Sequence, residues 1–510
     1  MSKLEVDAIE PQSGTTLTIG ASGDSVTFAS GANLSVDGTI KLDGNYPVGT
    51  NNVALGNNTL DDPTLTGGFN TAIGGASMSN NTTGANHTAV GFQSLLCNST
   101  GGANVAIGAY AMQQNTSGTD NTALGAVALQ YNTSGGQNTA IGRYALEQNT
   151  TASNNTAVGY ASLCANTTGA QNTAVGKNSL YTNTTGSDNV ALGRDTLYTN
   201  NGNNNTAVGI ASLYSNTTGG SNTAVGQGTL QFNTTASDNS AFGRVSLYAN
   251  TTGTNNTALG AVAMYNTTSG GYNVAVGNSA LQNQTTGSNN VAVGRIAGTS
   301  ITTGDRNTIV GGSYATGAGA SLTTGARNTI FGNDAGKTVT TGTDNVYIGH
   351  STTASGTNPN NEMVIGTNGG TGKGTNTGFI YINGGGSIYN SGNTSSWQTV
   401  SDERLKKNIV DNNLGLDLIS QIKIRNFEYR LPEEIQDGLK NSDAITKQGT
   451  QIGIIAQELQ QVLPDCVKEQ STGVLSVDTN NFTWYLINAI KELKAENDNL
   501  KSRIETLENN

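Results

Sequence analysis

The sequence predicts a mainly β protein in which a long solenoid of 17-residue coils precedes a smaller α+β domain that ends in a coiled coil. Three observations predict this fold class. Glycine makes up 68 of 510 residues, while charged residues are only 12 % and aromatic residues 5 %, too few for a thick globular core. One pentapeptide recurs at a fixed step, and charge density rises sharply after Val400. A repeat that keeps its phase for so long excludes a disordered low-complexity chain.

Residues 1–50 have a rhythm of their own. Pairs of apolar residues, such as Val26 with Phe28 and Leu34 with Val36, are separated by Gly, Ser and Asp. Such pairs, with turn residues about every eight positions, predict short strands. The stretch resembles amino-terminal segments of phage structural proteins, which implies a segment for attachment or for starting a trimer.

Residues 51–370 are organised by the pentapeptide Asn-Thr/Val-Ala-Val/Ile/Leu-Gly. Its closing glycines are 17 residues apart, except for a one-residue deletion before Gly209 and a four-residue insertion before Gly332. We expect these phase breaks, near residues 194–205 and 312–328, to be surface loops. The closing glycines are Gly74, Gly91, Gly108, Gly125, Gly142, Gly159, Gly176, Gly193, Gly209, Gly226, Gly243, Gly260, Gly277, Gly294, Gly311, Gly332, Gly349 and Gly366.

Each repeat unit predicts one coil, as residues 172–188 illustrate. Asn172-Thr173-Ala174-Val175 alternates polar and apolar residues like a strand, and Gly176 ends it because glycine tolerates a sharp corner. Ser179-Leu180-Tyr181 is expected to be a second short strand or coil, and Asn183-Thr184-Thr185-Gly186 to be the return turn. Stacking would bury the Ala174/Val175 and Leu180 stripes in one continuous column.

The asparagine that heads each strand falls in register from coil to coil. Such a column is able to form a ladder of side-chain amide hydrogen bonds. Asparagine and threonine also fill turn corners without any ladder, and the sequence leaves both interpretations open.

The pentapeptide resembles the head repeats of trimeric autotransporter adhesins over roughly residues 51–366, although those repeats are somewhat shorter. The resemblance implies a left-handed parallel β-roll and a homotrimer in which three chains wind side by side. A narrow coil with two short apolar stripes would need such partners to bury its sides.

Residues 371–400 are predicted to be a small tip or junction, and residues 401–510 a separate domain. That domain carries 13 Lys/Arg and 18 Asp/Glu, against 8 and 11 in the much longer segment 51–370. Residues 452–466 predict a strand followed by an amphipathic helix that Pro464 ends. Apolar residues at alternating spacings of four and three, within about residues 482–510, predict a coiled coil. Its seam is Leu486, Ile490, Leu493, Asn497, Leu500, Ile504 and Leu507.

The junction carries the strongest candidate for chemistry. Val400-Ser401-Asp402-Glu403-Arg404-Leu405-Lys406-Lys407-Asn408-Ile409 closely resembles the opening of the carboxy-terminal intramolecular chaperone domains of phage tailspikes and fibres, peptidase family S74. Gly-Ile-Ile-Ala-Gln-Glu-Leu-Gln-Gln-Val-Leu-Pro at residues 453–464 resembles the same family. The resemblance implies self-cleavage between Val400 and Ser401 by a dyad of Ser401 and Lys406, with Asp402 and Arg404 as orienting partners.

The chemistry of these residue types fits that implication. A serine hydroxyl becomes a good nucleophile when a nearby base removes its proton, and a lysine is such a base once partial burial lowers its pKa. Attack on the carbonyl of Val400 would form an ester that water then opens. Spacing alone favours a different interpretation, in which Ser401 caps a helix with Glu403 and Arg404 in its first turn and Lys406 is a solvated charge. The family resemblance makes the dyad the better hypothesis.

Composition excludes several partners and cofactors. The net charge of −11 argues against nucleic-acid binding, and no apolar run is long enough for membrane insertion. His87 and His350 are isolated, and Cys97, Cys164 and Cys466 have no metal-ligand spacing, so we expect no metal, no cofactor and unpaired thiols. The start of the sequence does not have the pattern of a secretory leader, which favours assembly in a host cytoplasm.

The sequence therefore predicts a homotrimeric virion tail fibre that binds a host cell-surface glycan or protein, contacts other virion tail proteins, and matures by self-cleavage of its carboxy-terminal chaperone domain. Autoproteolysis is the only enzymatic activity expected, with none on external substrates. A polysaccharide-degrading tailspike is the first alternative, and it requires a pair of carboxylates across a cleft. A bacterial trimeric surface adhesin is the second, and it requires a secretory leader and a membrane anchor.

Overall fold

The structure is a computed structural model that describes residues 50–313, 316–382, 387–391, 403–435, 445, 447–469, 473–479 and 481–509. Two compact units are present, Met1–Val400 and Ser401–Asn510. Of the predicted amino-terminal segment 1–50, all but Thr50 lies outside the described residues, as do residues 383–386 and 392–400 of the predicted tip. No helix in the described ranges is long and apolar enough to span a bilayer.

The first unit is a parallel β-solenoid of about 19 coils, which confirms the predicted mainly β class. Each coil contributes one short strand to a single sheet, and each strand pairs in parallel with the strand one coil later. After the last coils, β20 (Thr377–Tyr381) pairs in parallel with β19 and antiparallel with β21 (Ser387–Ser391). The coil strands are β1 (Val53–Leu55), β2 (Thr71–Ile73), β3 (Thr88–Val90), β4 (Val105–Ile107), β5 (Thr122–Leu124), β6 (Thr139–Ile141), β7 (Thr156–Val158), β8 (Thr173–Val175), β9 (Val190–Leu192), β10 (Thr206–Val208), β11 (Thr223–Val225), β12 (Ser240–Phe242), β13 (Thr257–Leu259), β14 (Val274–Val276), β15 (Val291–Val293), β16 (Thr308–Val310), β17 (Thr329–Phe331), β18 (Val346–Ile348) and β19 (Met363–Gly366).

Coil positions are numbered 1 to 17 from Asn172 to Asp188. Position 3 of one coil lies opposite position 3 of the next, as in the pairing of Ala174 with Ala191. The prediction that Ala174 and Val175 are both buried is wrong. Ala174 is fully buried, whereas Val175 at position 4 is 37 % exposed, because successive side chains of a strand point to opposite faces of the sheet.

The return path of each coil is a chain of turns, so Ser179-Leu180-Tyr181, which was expected to be a short strand or coil, forms no strand. Asn178 and Leu180 both have left-handed backbone angles, with φ of 55° and 51°. That conformation costs a non-glycine residue about 1–2 kcal/mol. Complete burial of the Leu180 side chain contributes about 1.5–3 kcal/mol, which offsets the cost. Gly176 is required for space, since a Cβ there would lie 2.5 Å from the carbonyl oxygen of Gly193.

The interior changes its packing near residue 298. Earlier coils pair a small residue at position 3 with a large one at position 9, as in Ala174 and Leu180. From there on the sizes are reversed. Gly298 occupies position 9 of one coil, and the larger Ile309 occupies position 3 of the next coil. A Cβ on Gly298 would lie 3.0 Å from Cδ1 of Ile309, so the two substitutions compensate in volume.

Two buried asparagine columns join the coils. At position 1, Oδ1 of Asn172 accepts the backbone N–H of Asn189 at 3.0 Å, and its Nδ2 donates to the carbonyl of Gly186 at 2.9 Å. At position 12, Nδ2 of Asn183 donates to Oδ1 of Asn166 at 3.0 Å. The predicted column at position 1 therefore bonds mainly to backbone, and the continuous amide ladder is the column at position 12.

The phase breaks are absorbed within single coils. Thr206 still pairs with Val190, because two side chains replace the backbone acceptors that the shortened coil lacks. Oδ1 of Asn201 accepts the N–H of Thr184, and Oδ1 of Asn203 accepts that of Ser187, each at 2.8 Å. Residues 194–205, where a surface loop was expected, thus follow the path of an ordinary coil. Around the insertion, Ala318 N–H donates to the carbonyl of Gly311 and keeps the bond found in ordinary coils.

The second unit is an α+β arrangement of short elements around one long helix. Its elements are α1 (Leu416–Ser420), β22 (Arg425–Phe427), β23 (Gln451–Gly453), α2 (Ala456–Gln460), β24 (Val467–Glu469), β25 (Leu475–Val477) and α3 (Phe482–Glu508). The strands form two antiparallel pairs, β22 with β23 and β24 with β25. The predicted strand and helix in residues 452–466 are present, but α2 ends at Gln460, before Pro464 opens a separate 3₁₀ turn.

Candidate functional site

The predicted catalytic segment lies at the start of the second unit. Val400, Ser401 and Asp402 fall outside the described residues, so the distance between Ser401 and Lys406 stays a prediction. Arg404 lies in a single 3₁₀ turn, Glu403–Leu405. Lys406 follows it and donates its backbone N–H to the carbonyl of Glu403 at 3.0 Å. Arg404 and Lys406 are both exposed in the single chain.

The chain after this segment is held against the long helix α3. Leu416 N–H donates to Oε2 of Glu492 at 2.6 Å, and Nδ2 of Asn488 donates to the carbonyl of Asn412 at 2.6 Å. Gly415 allows this approach, because a Cβ there would lie 2.5 Å from the backbone nitrogen of Ala489. Residues 412–416 are therefore attached to α3 by polar bonds at close range.

A small apolar core supports the unit. It is formed by Leu459, Leu463, Cys466 and Tyr485, which links α2 and the following 3₁₀ turn to α3. Burial raises the pKa of the Tyr485 hydroxyl, and so does its bond to Oδ2 of Asp465 at 2.9 Å. This core is small for a domain of its length.

One charged pair ties the first strand pair to α2. Arg425 makes two hydrogen bonds to the carboxylate of Glu458, at 3.0 and 2.7 Å. The guanidinium holds the pKa of Glu458 below its usual range. Two parallel bonds fix the orientation of a carboxylate more firmly than one, so the pair orders α2 relative to β22.

The coiled-coil seam on α3 is exposed in the single chain. Its apolar members are 46–75 % exposed, and they are Leu486, Ile490, Leu493, Leu500, Ile504 and Leu507. Trp484, near the start of the helix, is 65 % exposed. Monomeric soluble proteins rarely leave such a continuous apolar stripe in water.

A second apolar surface runs along the solenoid. The sequence prediction had assigned its residues to the buried core. This surface is the position 4 column, defined as the residue that follows position 3 in each coil strand from β1 to β19, that is, from Leu55 to Ile365, and every member is apolar. Leu124, Leu259 and Phe331 in this column are 45, 50 and 56 % exposed. The strict alternation within each strand was the signal that could have identified it.

Within the described residues, no group of three or more His, Cys, Asp or Glu side chains could hold a metal ion. His87 replaces Asn at position 1 and is buried, and burial lowers its pKa. Cys97, Cys164 and Cys466 are all free thiols, and burial raises the pKa of Cys164 to about 12.

Comparison with protein families identifies the second unit. Residues 401–468 match the Peptidase_S74 model, which is described as chaperone of endosialidase. The match begins at Ser401, the first residue of the second compact unit. The chain thus carries a Peptidase_S74 domain after a β-solenoid, a combination that fits a fibre- or tailspike-like protein.

Proposed function

We propose that this chain forms a homotrimeric virion tail fibre that binds the host cell surface. The position 4 column carries the proposal, because it places an apolar side chain on the outside of every coil from β1 to β19. A surface of that length is stable in water once partner chains cover it. The choice of three chains rests on the resemblance of the repeats to the heads of trimeric adhesins.

The carboxy-terminal unit would set the alignment of the three chains. Identical coils allow one chain to slip past another by 17 residues at little cost, because each coil offers its neighbour the same apolar residue. A non-repetitive unit removes this degeneracy. The exposed seam of α3 and the Peptidase_S74 match both support this role.

Self-cleavage would follow assembly. Ser401 attacks the carbonyl carbon of Val400, its hydroxyl proton passes to Lys406, and the amide nitrogen of Ser401 leaves carrying a proton. Water then opens the resulting ester and regenerates the Ser401 hydroxyl. Contact with partner chains is the step that would bury Lys406, which is exposed in one chain, and so favour its neutral form.

Hydrolysis of external polysaccharide is less well supported. The aspartates at position 17 include Asp120, Asp188 and Asp238, which are three or four coils apart. At about 4.8 Å per coil, their spacing of about 14 Å or more exceeds the separation that glycosidases use.

Sedimentation equilibrium of the purified full-length chain tests the proposal. We expect the mass of a trimer, with or without loss of the carboxy-terminal unit. A monomer that keeps its full β-sheet circular dichroism would contradict the proposal, because the position 4 column would then be stable in water without partners.

A further inference from the structure

One coil of the solenoid departs from its neighbours at two positions. In the coil that starts at Asn222, position 7 is Gly228, whereas the adjacent coils carry Ala211, Val245 and Val262 there. The missing side chain leaves a groove of about 390 Å³. Its walls include Ile210, Gln227, Gln231, Arg244, Tyr248 and Tyr265.

The same coil interrupts a column of aromatic rings at position 10. Tyr181, Tyr198 and Tyr214 stack with centroids 5.1 and 5.0 Å apart, and Tyr248 and Tyr265 stack at 4.9 Å. Gln231 replaces the tyrosine that would join the two stacks. The groove thus has an aromatic wall at one end and an amide where a ring would otherwise fill it.

Arg244 adds a positive charge that has no ion-pair partner among the residues that the structure describes. Five of the eight Lys/Arg in residues 51–370 lie at position 6, namely Arg143, Lys177, Arg194, Arg244 and Arg295. Arg194 pairs with Asp195 at 3.3 Å, and Arg143 bonds to Tyr144. Among the described residues, the Arg244 guanidinium and the amides of Gln227 and Gln231 have no side-chain hydrogen-bond partner. Open donors around this cavity, one of them a cationic guanidinium, favour an acidic ligand.

We propose that this groove binds a carboxylate-bearing saccharide. Arg244 pairs with the carboxylate, the amides of Gln227 and Gln231 bond to hydroxyl groups, and the rings of Tyr248 and Tyr265 contact the apolar edge of the sugar. The inference rests on the proposed function and names the ligand class and the site of host-surface binding.

The backbone around the groove favours a saccharide over a peptide. Gly228 N–H donates to the carbonyl of Ile210, and Val245 N–H donates to the carbonyl of Gln227, each at 2.9 Å. Phe232 N–H donates to the carbonyl of Tyr248 at 3.1 Å. An extended peptide gains affinity by adding a strand to open backbone groups, and these groups are already bonded between coils. Recognition here depends on side chains.

The test uses the full-length protein and a glycan array in which each carboxylated saccharide is paired with its carboxyl-reduced form. Gly228→Val introduces at position 7 the valine that the next two coils carry there. Gln231→Tyr restores the aromatic column at position 10. Both variants close the groove with residues that this fold accepts. Arg244→Ala removes the charge. Gln282→Tyr is the matched control, since it makes the same change at position 10 outside the groove.

We expect binding to carboxylated members and at least tenfold weaker binding to their reduced forms. We expect the same loss in all three groove variants and none in Gln282→Tyr. The groove is refuted if no carboxylated member binds the wild type, or if both closing variants bind as it does. Equal affinity for poly-L-glutamate would contradict a saccharide ligand and indicate that the groove binds an acidic peptide. A trimer that adsorbs to bacterial cells equally well with and without Gly228→Val would refute the groove and leave the proposed fibre intact.

Discussion

Nδ2 of Asn250 donates to Oδ1 of Asn233 at 2.9 Å, and this is the last bond of the amide ladder at position 12. The next residue of the column is Thr267, whose shorter side chain does not reach Asn250. As a result, Oδ1 of Asn250, Oγ1 of Thr267 and Oε1 of Gln284 are buried without a hydrogen-bond partner within the described structure. After Gln284 the column becomes apolar, beginning with Ile301. The ladder therefore ends in three unsatisfied oxygens before the interior changes type.

Thr267→Asn is expected to stabilise the solenoid. The new Nδ2 would donate to Oδ1 of Asn250 and to the carbonyl of Gly270, as asparagine does in the preceding coils. Satisfying a buried acceptor contributes about 1–3 kcal/mol. Chemical denaturation should show a raised midpoint, and Asn166→Thr, the reverse change within the ladder, should lower it. A Thr267→Asn variant no more stable than the wild type would show that the oxygens are already satisfied by other means.

Stability is expected to fall with acid because of His87. Its Nδ1 accepts the N–H of Asn104 at 3.1 Å and its Nε2 lies 2.8 Å from the carbonyl of Gly101, so the neutral ring with the proton on Nε2 fits the site. Burial lowers its pKa, while in the unfolded chain the pKa stays near 6.5. Below about pH 6.5 the unfolded state therefore binds more protons, and the free energy of unfolding decreases until the folded pKa is passed.

His87→Asn provides the matched comparison, since asparagine occupies this position in the adjacent coils. Thermal unfolding between about pH 7.5 and 5 should give a smaller loss of stability for the variant than for the wild type. Parallel curves for the two proteins would exclude His87 as the source of the pH dependence.

Lysine in the position 4 column is expected to prevent association. Replacing Ile107, Leu124 and Ile141 with lysine exposes no new core, but it places three charges on the apolar surface. We expect the dissociation constant of the assembly to rise at least about a hundredfold, measured by sedimentation velocity. The control places lysines at Ser117, Ser134 and Thr151, which are exposed elsewhere on the same coils. Equal dissociation constants for the two variants would show that the position 4 column does not lie in the interface between chains.

Self-cleavage is expected to produce two bands on a denaturing gel. Ser401→Ala should give one band of full length, because the hydroxyl that attacks Val400 is lost, and Lys406→Met should do the same because the base is lost. Ser502→Ala, an exposed serine on α3, should still give two bands. Continued cleavage in Ser401→Ala would contradict the dyad, and an uncut wild-type trimer would contradict self-cleavage altogether.

The sequence predicts the strands better than the turns. The pentapeptide places each strand of the repeat array, because its Asn, Ala and Gly have separate roles that recur at every step. It does not reveal that Leu180 takes a left-handed backbone angle, since this cost is offset only when the stacked coils bury the side chain. The ladder at position 12 is similarly hidden, because Asn183 in one repeat looks like any turn residue.

The candidate sites differ in how far the sequence reveals them. Ser401 and Lys406 follow from a local motif, so they are visible without a fold. The groove beside Gly228 depends on residues from several coils, and Gln231 and Arg244 gain meaning only once the columns are aligned. Single-residue departures from an otherwise regular column are the sequence signal for such a site.

The shared register of the coils also bears on how the gene can change. Each coil receives hydrogen bonds from one neighbour and gives equivalent ones to the other, and even a coil with a missing residue keeps its strand paired, as Thr206 does with Val190. Recombination between repeats that duplicates or removes 17 codons would therefore lengthen or shorten the rod by about 4.8 Å without disturbing either end. The length of the solenoid is then free to differ among related proteins that share the same carboxy-terminal domain.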